Sequence, residues 1–146
     1  MKVWVAVLGA AGLAGAARWV AGRLSAVTVS GDSMEPALSD GDRVLVWRSR
    51  FSRLSVGDIV VACVPTVARV PALADRSWLI KRVAALPGDP VPAAVAKAVE
   101  GDETVPPDRL VLLSDNAEGS VDSRRFGYAY GDLVLGLVVR RLSPGR

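Results

Sequence analysis

From Ser25 onward the chain is written in short apolar runs, AVTVS, DRVLVW, DIVVACV, SWLIKRVAAL, RLVLLS and LVLGLVVRRL, with Gly-Asp or Pro-Gly pairs between many of them. Runs of this length, rich in Val, Ile and Leu and closed off by turn formers, predict strands and leave little room for helix. The expected fold is therefore mainly β over residues 25–146. Between Asp89 and Pro107 the composition shifts to PVPAAVAKAVEGDETVPP, which predicts a peripheral excursion with a helical turn around Ala93 to Glu100 and a solvated Lys97. A chain of 146 residues that is half apolar supports one hydrophobic core plus a short appendage. It contains no internal repeat and no linker between large domains.

The appendage is the amino-terminal segment. VWVAVLGAAGLAGAA, residues 3–17, carries no charge and then meets Arg18, Trp19 and Arg23. About 20 residues cross a bilayer core, so a span has to include Arg18, its guanidinium snorkelling to the headgroups with Trp19 at the interface. The favoured reading is one transmembrane helix in a retained anchor, residues 1–24. The alternatives are a secretory signal cleaved near Ala14 to Ala16, or a helix packed on the domain. Flanking charge alone would place the following domain in the cytoplasm, because Arg18 and Arg23 follow the segment.

Several function classes are excluded by what is missing. The formal charge of +3 is spread among mixed acids and bases, without the basic block expected of a nucleic-acid binder. Cys63 is the single cysteine, so no internal disulfide forms and no Cys/His metal cluster exists; a small buried residue in a strand is the expected role. There is no histidine at all, which rules out a Ser-His-Asp triad, a Cys-His dyad and any His general base within the chain. Fifteen Arg stand against three Lys, namely Lys2, Lys81 and Lys97. Arginine keeps its proton in proteins whereas a desolvated lysine releases it, so each lysine is a candidate for chemistry.

Three segments carry that chemistry. In VSGDSMEPAL, Val29 to Leu38, a Gly two residues before Ser33 and a Pro three after it make a turn that lifts the hydroxyl clear of the sheet and leaves the Ser33 amide free to donate. A serine in such a turn is also an ordinary cap or turn former. In SWLIKRVAALPGD, Ser77 to Asp89, alternation sets Lys81 on the strand face of Leu79 and Val83, where burial lowers its pKa and fits it to accept the Ser33 proton. A lysine snorkelling from an edge strand would show the same letters. SDNAEGSVDSRRFG, Ser114 to Gly127, is a dense polar loop after an apolar run.

Taken in order, G-x-S-M-x-P-x-L, then G-D-I-V-V at Gly57 to Val61, then K-R-V-x-x-L-P-G-D, then D-N-x-x-x-S-x-D-S-R-x-x-G resemble the successive sequence boxes of the type I signal peptidase family. The likeness runs from about Val27 to Pro144. It implies a signal-peptidase-like β-sheet catalytic domain and a serine endopeptidase working by a Ser/Lys dyad without metal or other cofactor. Its partners would be exported precursor proteins with small residues before the cleavage site, and its setting a single-pass membrane protein with the catalytic domain on the extracytoplasmic side. By position Ser33 matches the nucleophile, with its backbone N–H at the oxyanion, and Lys81 the base. Ser120 matches the hydroxyl that orients the lysine, and Asp122 and Arg124 a structural ion pair. Asp115 and Asn116 match turn and scaffold groups, while Arg82 and Met34 flank the dyad. Two letters depart from the pattern: Gly31 stands where one branch of the family carries an oxyanion-donating Ser, and Ser114 where a Gly usually precedes the Asp-Asn pair. Competing implications are a maturation protease dedicated to one partner, a self-cleaving repressor-type Ser/Lys protease, and a catalytically silent peptide-binding module.

Overall fold

The computed structural model describes residues 18–64, 77–99 and 101–144. Each of the six apolar runs becomes a strand: β1 (Leu24–Thr28), β2 (Arg43–Trp47), β3 (Ile59–Val64), β4 (Ser77–Ala85), β5 (Arg109–Leu113) and, after a two-residue β6 (Ala129–Tyr130), β7 (Val134–Ser143). They form one sheet in the order β1-β2-β7-β3-β4-β5-β6, antiparallel at every pairing. The last strand thus joins the β1–β2 hairpin to the β3–β4–β5 meander. Gly136 makes that insertion possible, since a Cβ there would collide with the carbonyl oxygen of Trp47.

Strand alternation divides the core. Val60 and Ala62 of β3 pack with Val83, Leu110 and Leu112, whereas Val61, between them, packs with Val44, Val46, Met34 and Leu38. β3 is covered on both faces, which is why it reads as an unbroken apolar run and why Cys63 within it is buried. The excursion after β4 contains a 3-10 helix, Ala93–Ala98, and an isolated bridge between Pro90 and Thr104. Val95 and Val99 close it over Ala85 and Val111 as a third small cluster, and Lys97 is exposed.

Of the expected anchor, residues 1–17 lie outside the described residues. Residues 18–21 are helical, with the Trp19 ring edge-on to Trp47 and the Arg23 guanidinium over its face. Among the described residues no helix is long and apolar enough to cross a membrane.

Candidate active site

Ser33 is held by the anchoring of its neighbours. Val29 N–H donates to the Asp42 carbonyl and Gly41 N–H to the Val29 carbonyl, tying the start of the loop to its end. Gly31 N–H donates to Asp40 Oδ1 at 2.7 Å, and Gly31 has φ +87° with open space where a Cβ would go. Backbone conformation therefore explains this glycine, and a serine here would be strained. On the other side of Ser33, Met34 is 1% exposed and inserts into the core with Val44, Val46 and Val61. Burying a methionine side chain contributes about 1.5–3 kcal/mol, so the loop is pinned one residue from Ser33. Beneath it the buried Asp42 accepts from Ser39 N–H and from Arg141 Nη1 at 3.1 Å.

Lys81 arrives from β4, opposite Val60 of β3. The strand stops at Pro87-Gly88-Asp89, where Gly88 has φ +85° and Asp89 Oδ2 accepts from Leu86 N–H. Alternation holds as expected: Val83, two residues along, is core, and Leu79, two residues back, packs against Val64 with Val121 and Phe126. Lys81 is 3% exposed, and its Nζ lies 2.7 Å from Ser33 Oγ. Desolvation pushes its pKa below the ordinary lysine value, opposed by the negative charge of Asp122 nearby. Ser33 itself is half-buried. The pair lines a cleft of about 150 Å³ whose apolar walls include Val27 and Val29 on one side and Trp78 and Ile80 on the other. Among the described residues no acceptor takes the Ser33 backbone N–H, so it remains available to an oxyanion.

The third segment braces this pair. Asn116 N–H donates to the Ser33 carbonyl at 3.0 Å and Asn116 Nδ2 to the Asp32 carbonyl at 3.4 Å. Asp115 receives two hydrogen bonds from Arg82, at 2.7 and 2.5 Å, while Arg82 Nη1 donates to the Gly57 carbonyl. Asp122 caps a one-turn helix, Ser123–Phe126, by accepting from Arg124 N–H; it also accepts from Ser114 N–H and from Arg124 Nη1, each at 2.9 Å. Ser120 differs from expectation in its geometry: its Oγ donates to the Asn116 carbonyl at 2.5 Å and makes no hydrogen bond to Lys81. The tight turn between Asn116 and Ser120 supplies that carbonyl four residues back, closer at hand than the amine.

Sequence reasoning places an extended substrate beside the edge near Val27 to Ser30, which lines this cleft, but does not single out Asp42 or the wall of Trp78 and Ile80. That wall was visible in principle as the apolar letters alternating around Lys81 in SWLIK, but Asp42 looks like any turn aspartate until Arg141, 99 residues away, is placed beside it.

The family model described as signal peptidase, peptidase S26, matches residues 1–99. The mitochondrial inner membrane protease subunit 1 of Schizosaccharomyces pombe is 31% identical over 122 residues, covering 79% of this chain and 71% of that protein. The probable signal peptidase I-1 of Synechocystis is 29% identical over 136 residues, covering 80% and 69%. The signal peptidase I of Leptolyngbya laminosa is 30% identical over 139 residues, covering 80% and 67%.

Proposed function

The chain belongs to the signal peptidase family, peptidase S26, and is a serine endopeptidase; from that premise we propose that it cleaves signal or leader peptides from exported precursors, with Ser33 as nucleophile and Lys81 as general base. The carrying observation is the buried Lys81 amine 2.7 Å from the Ser33 hydroxyl. In the charged form Nζ donates to Oγ; once neutral, Nζ accepts the proton as Oγ bonds to the scissile carbonyl carbon. The Ser33 N–H steadies the oxyanion. As the C–N bond breaks, the ammonium returns its proton to the leaving nitrogen, and the neutral amine then activates a water that releases the acyl group and restores Ser33.

Substrate lies extended between the end of β1 and the first half of β4, which form the two walls of the cleft. β1 is the terminal strand of the sheet and offers main-chain groups to an added strand. A cleft of about 150 Å³ suits small side chains before the cut. Residues 1–24 tether the domain to a membrane as a single-pass anchor, with the catalytic domain extracytoplasmic, which concentrates anchored precursors around the site. Ser120 and the Asp122–Arg124, Arg82–Asp115 and Asn116 contacts are supports that position the dyad. A module that only gripped peptides would have no use for a desolvated lysine against a hydroxyl.

Incubation of detergent-solubilised protein with precursor peptides carrying A-x-A-like sites tests this reading. Wild type is expected to cut after the small residue, and Ser33→Ala to lose at least about 10³-fold in kcat/KM; cleavage undiminished in Ser33→Ala would refute it.

A further inference from the structure

Ser114 has a side chain for which the mechanism above has no role. The residue is 5% exposed, and its Oγ is, among the described residues, the single buried side-chain polar atom without a hydrogen-bond partner. Burying a hydroxyl unpaired costs free energy, so an orphan of this kind calls for a reason.

Its position supplies one. Arg82 of β4 stands opposite Leu113 of β5, and Val83 opposite Leu112. Continued by one residue, that register sets Ser114 opposite Lys81, and opposed residues of an antiparallel pair project from the same face. The main chain agrees, since Ser114 N–H is bound by Asp122 Oδ2 at 2.9 Å, and Asp122 is the carboxylate whose charge reaches Lys81. The orphan hydroxyl thus sits on the strand face from which Lys81 emerges.

We infer that Ser114 Oγ is a positioning acceptor for the Lys81 ammonium, engaged when the amine carries the proton taken from Ser33. An ammonium has three protons to place. In the resting pair one points to Ser33 Oγ, but once that oxygen is bonded to the carbonyl carbon in the tetrahedral intermediate it becomes a poorer acceptor and the ammonium loses that hold. It must nevertheless stay oriented until the C–N bond breaks and the leaving nitrogen takes the proton. Ser120 directs its own proton to the Asn116 carbonyl and does not touch the amine, whereas Ser114 offers free lone pairs on the adjoining strand. No extra reactant is needed, and proton and bond changes are those already given for acyl transfer.

This inference rests on the Ser33/Lys81 reading. The test is steady-state kcat and KM against pH on one precursor peptide for wild type, Ser33→Ala, Ser114→Ala and Ser114→Thr, with thermal unfolding of each. Ser114→Ala is expected to lose about 10-fold or more in kcat with KM changed less than about 2-fold. Because the resting ammonium is held by Ser33 and Ser114 engages it only after proton transfer, the rising limb of its profile stays where it is in wild type. Its melting temperature should equal or exceed that of wild type, and Ser114→Thr should recover kcat to within about 3-fold. Wild-type kcat in Ser114→Ala would overturn the inference, as would a rising limb displaced from its wild-type position or a threonine variant as impaired as the alanine. An alanine variant that fails to fold also overturns it, since the hydroxyl would then be holding the resting loop. Cleavage indifferent to Ser33→Ala sinks the dyad itself, while a Ser33-dependent enzyme indifferent to Ser114→Ala sinks only this proposal.

Discussion

On β4 the side chains of Lys81 and Arg82 leave opposite faces of one sheet and meet opposite surroundings. Lys81 is enclosed, hydrogen-bonded to an uncharged hydroxyl, and held below its ordinary pKa by desolvation. Arg82 is partly open to solvent, bidentate to Asp115, and pushed above its ordinary value first by that hydrogen bond. The period of two in a strand is enough to separate them. Burial disfavours the charge on one cation and pairing favours it on the next, one residue apart.

Making the two positions alike breaks the comparison most severely. Lys81→Arg keeps a cation but cannot supply a base, and kcat/KM is expected to fall by at least about 10³-fold, the range that general-base catalysis spans. An arginine variant with appreciable cleavage would remove Lys81 from the mechanism. For wild type kcat/KM should rise with pH as Lys81 loses its proton, and a flat profile from pH 5 to 9 would count against the dyad. Stability follows the same titration. Below the folded pKa both states hold the proton and the fold bears the full desolvation cost. As pH climbs from the folded pKa towards 10.5, the unfolded chain binds a proton that the folded one does not, so stability rises through that window. Tyr128, raised to about 12, first by burial and then by its hydrogen bond to Asp102, adds the opposite slope above pH 10. Lys81→Met, with Tyr128 intact, isolates the lysine contribution: it should be more stable than wild type by about 1 kcal/mol at neutral pH, and the gap should close as pH rises.

Asp122 links the buried site to its brace, and its removal sharpens the contrast at intermediate cost. The carboxylate is 0% exposed and accepts from Ser114 N–H, Arg124 N–H and Arg124 Nη1. Asp122→Asn keeps the shape but turns one acceptor into a donor facing donors, which should cost about 2 kcal/mol by chemical denaturation. Loss of its charge also removes the influence that favours the Lys81 ammonium, so the rising limb of kcat/KM should move to lower pH. A limb that moves upward would mean that Asp122 acts on Lys81 by some route other than its field.

The features legible in the letters are those set by local period and turn chemistry. The six strands, the buried cysteine and the face on which Lys81 emerges all follow from alternation between turn formers, and the Gly31 turn follows from the conformation it must adopt. What was not legible depends on partners far apart in sequence. The insertion of β7 between β2 and β3, the Asp42–Arg141 contact and the tie from Asn116 N–H to the Ser33 carbonyl join segments separated by tens of residues. The two letters that depart from the family pattern divide in the same way. Gly31 is explained by its own backbone, whereas the buried, unpartnered hydroxyl of Ser114 shows only once the chain is folded.

The smallest effect is expected at Arg82. Arg82→Gln removes a paired but solvent-facing ion pair and its bond to the Gly57 carbonyl. Exposure and salt screening limit the loss to about 1 kcal/mol or less, diminishing further at high ionic strength. Because Asp115 precedes the residue whose N–H holds the Ser33 carbonyl, some of that loss should reach the nucleophile, lowering kcat/KM by less than about 5-fold without shifting the pH limb. A charged arginine contributes no slope to stability over the range in which Lys81 titrates, so Arg82→Gln should lower the stability curve evenly with pH while Lys81→Met changes its slope. A pH-dependent loss in Arg82→Gln would show that the two faces of β4 are electrostatically coupled and that the strand does not insulate the base from its brace.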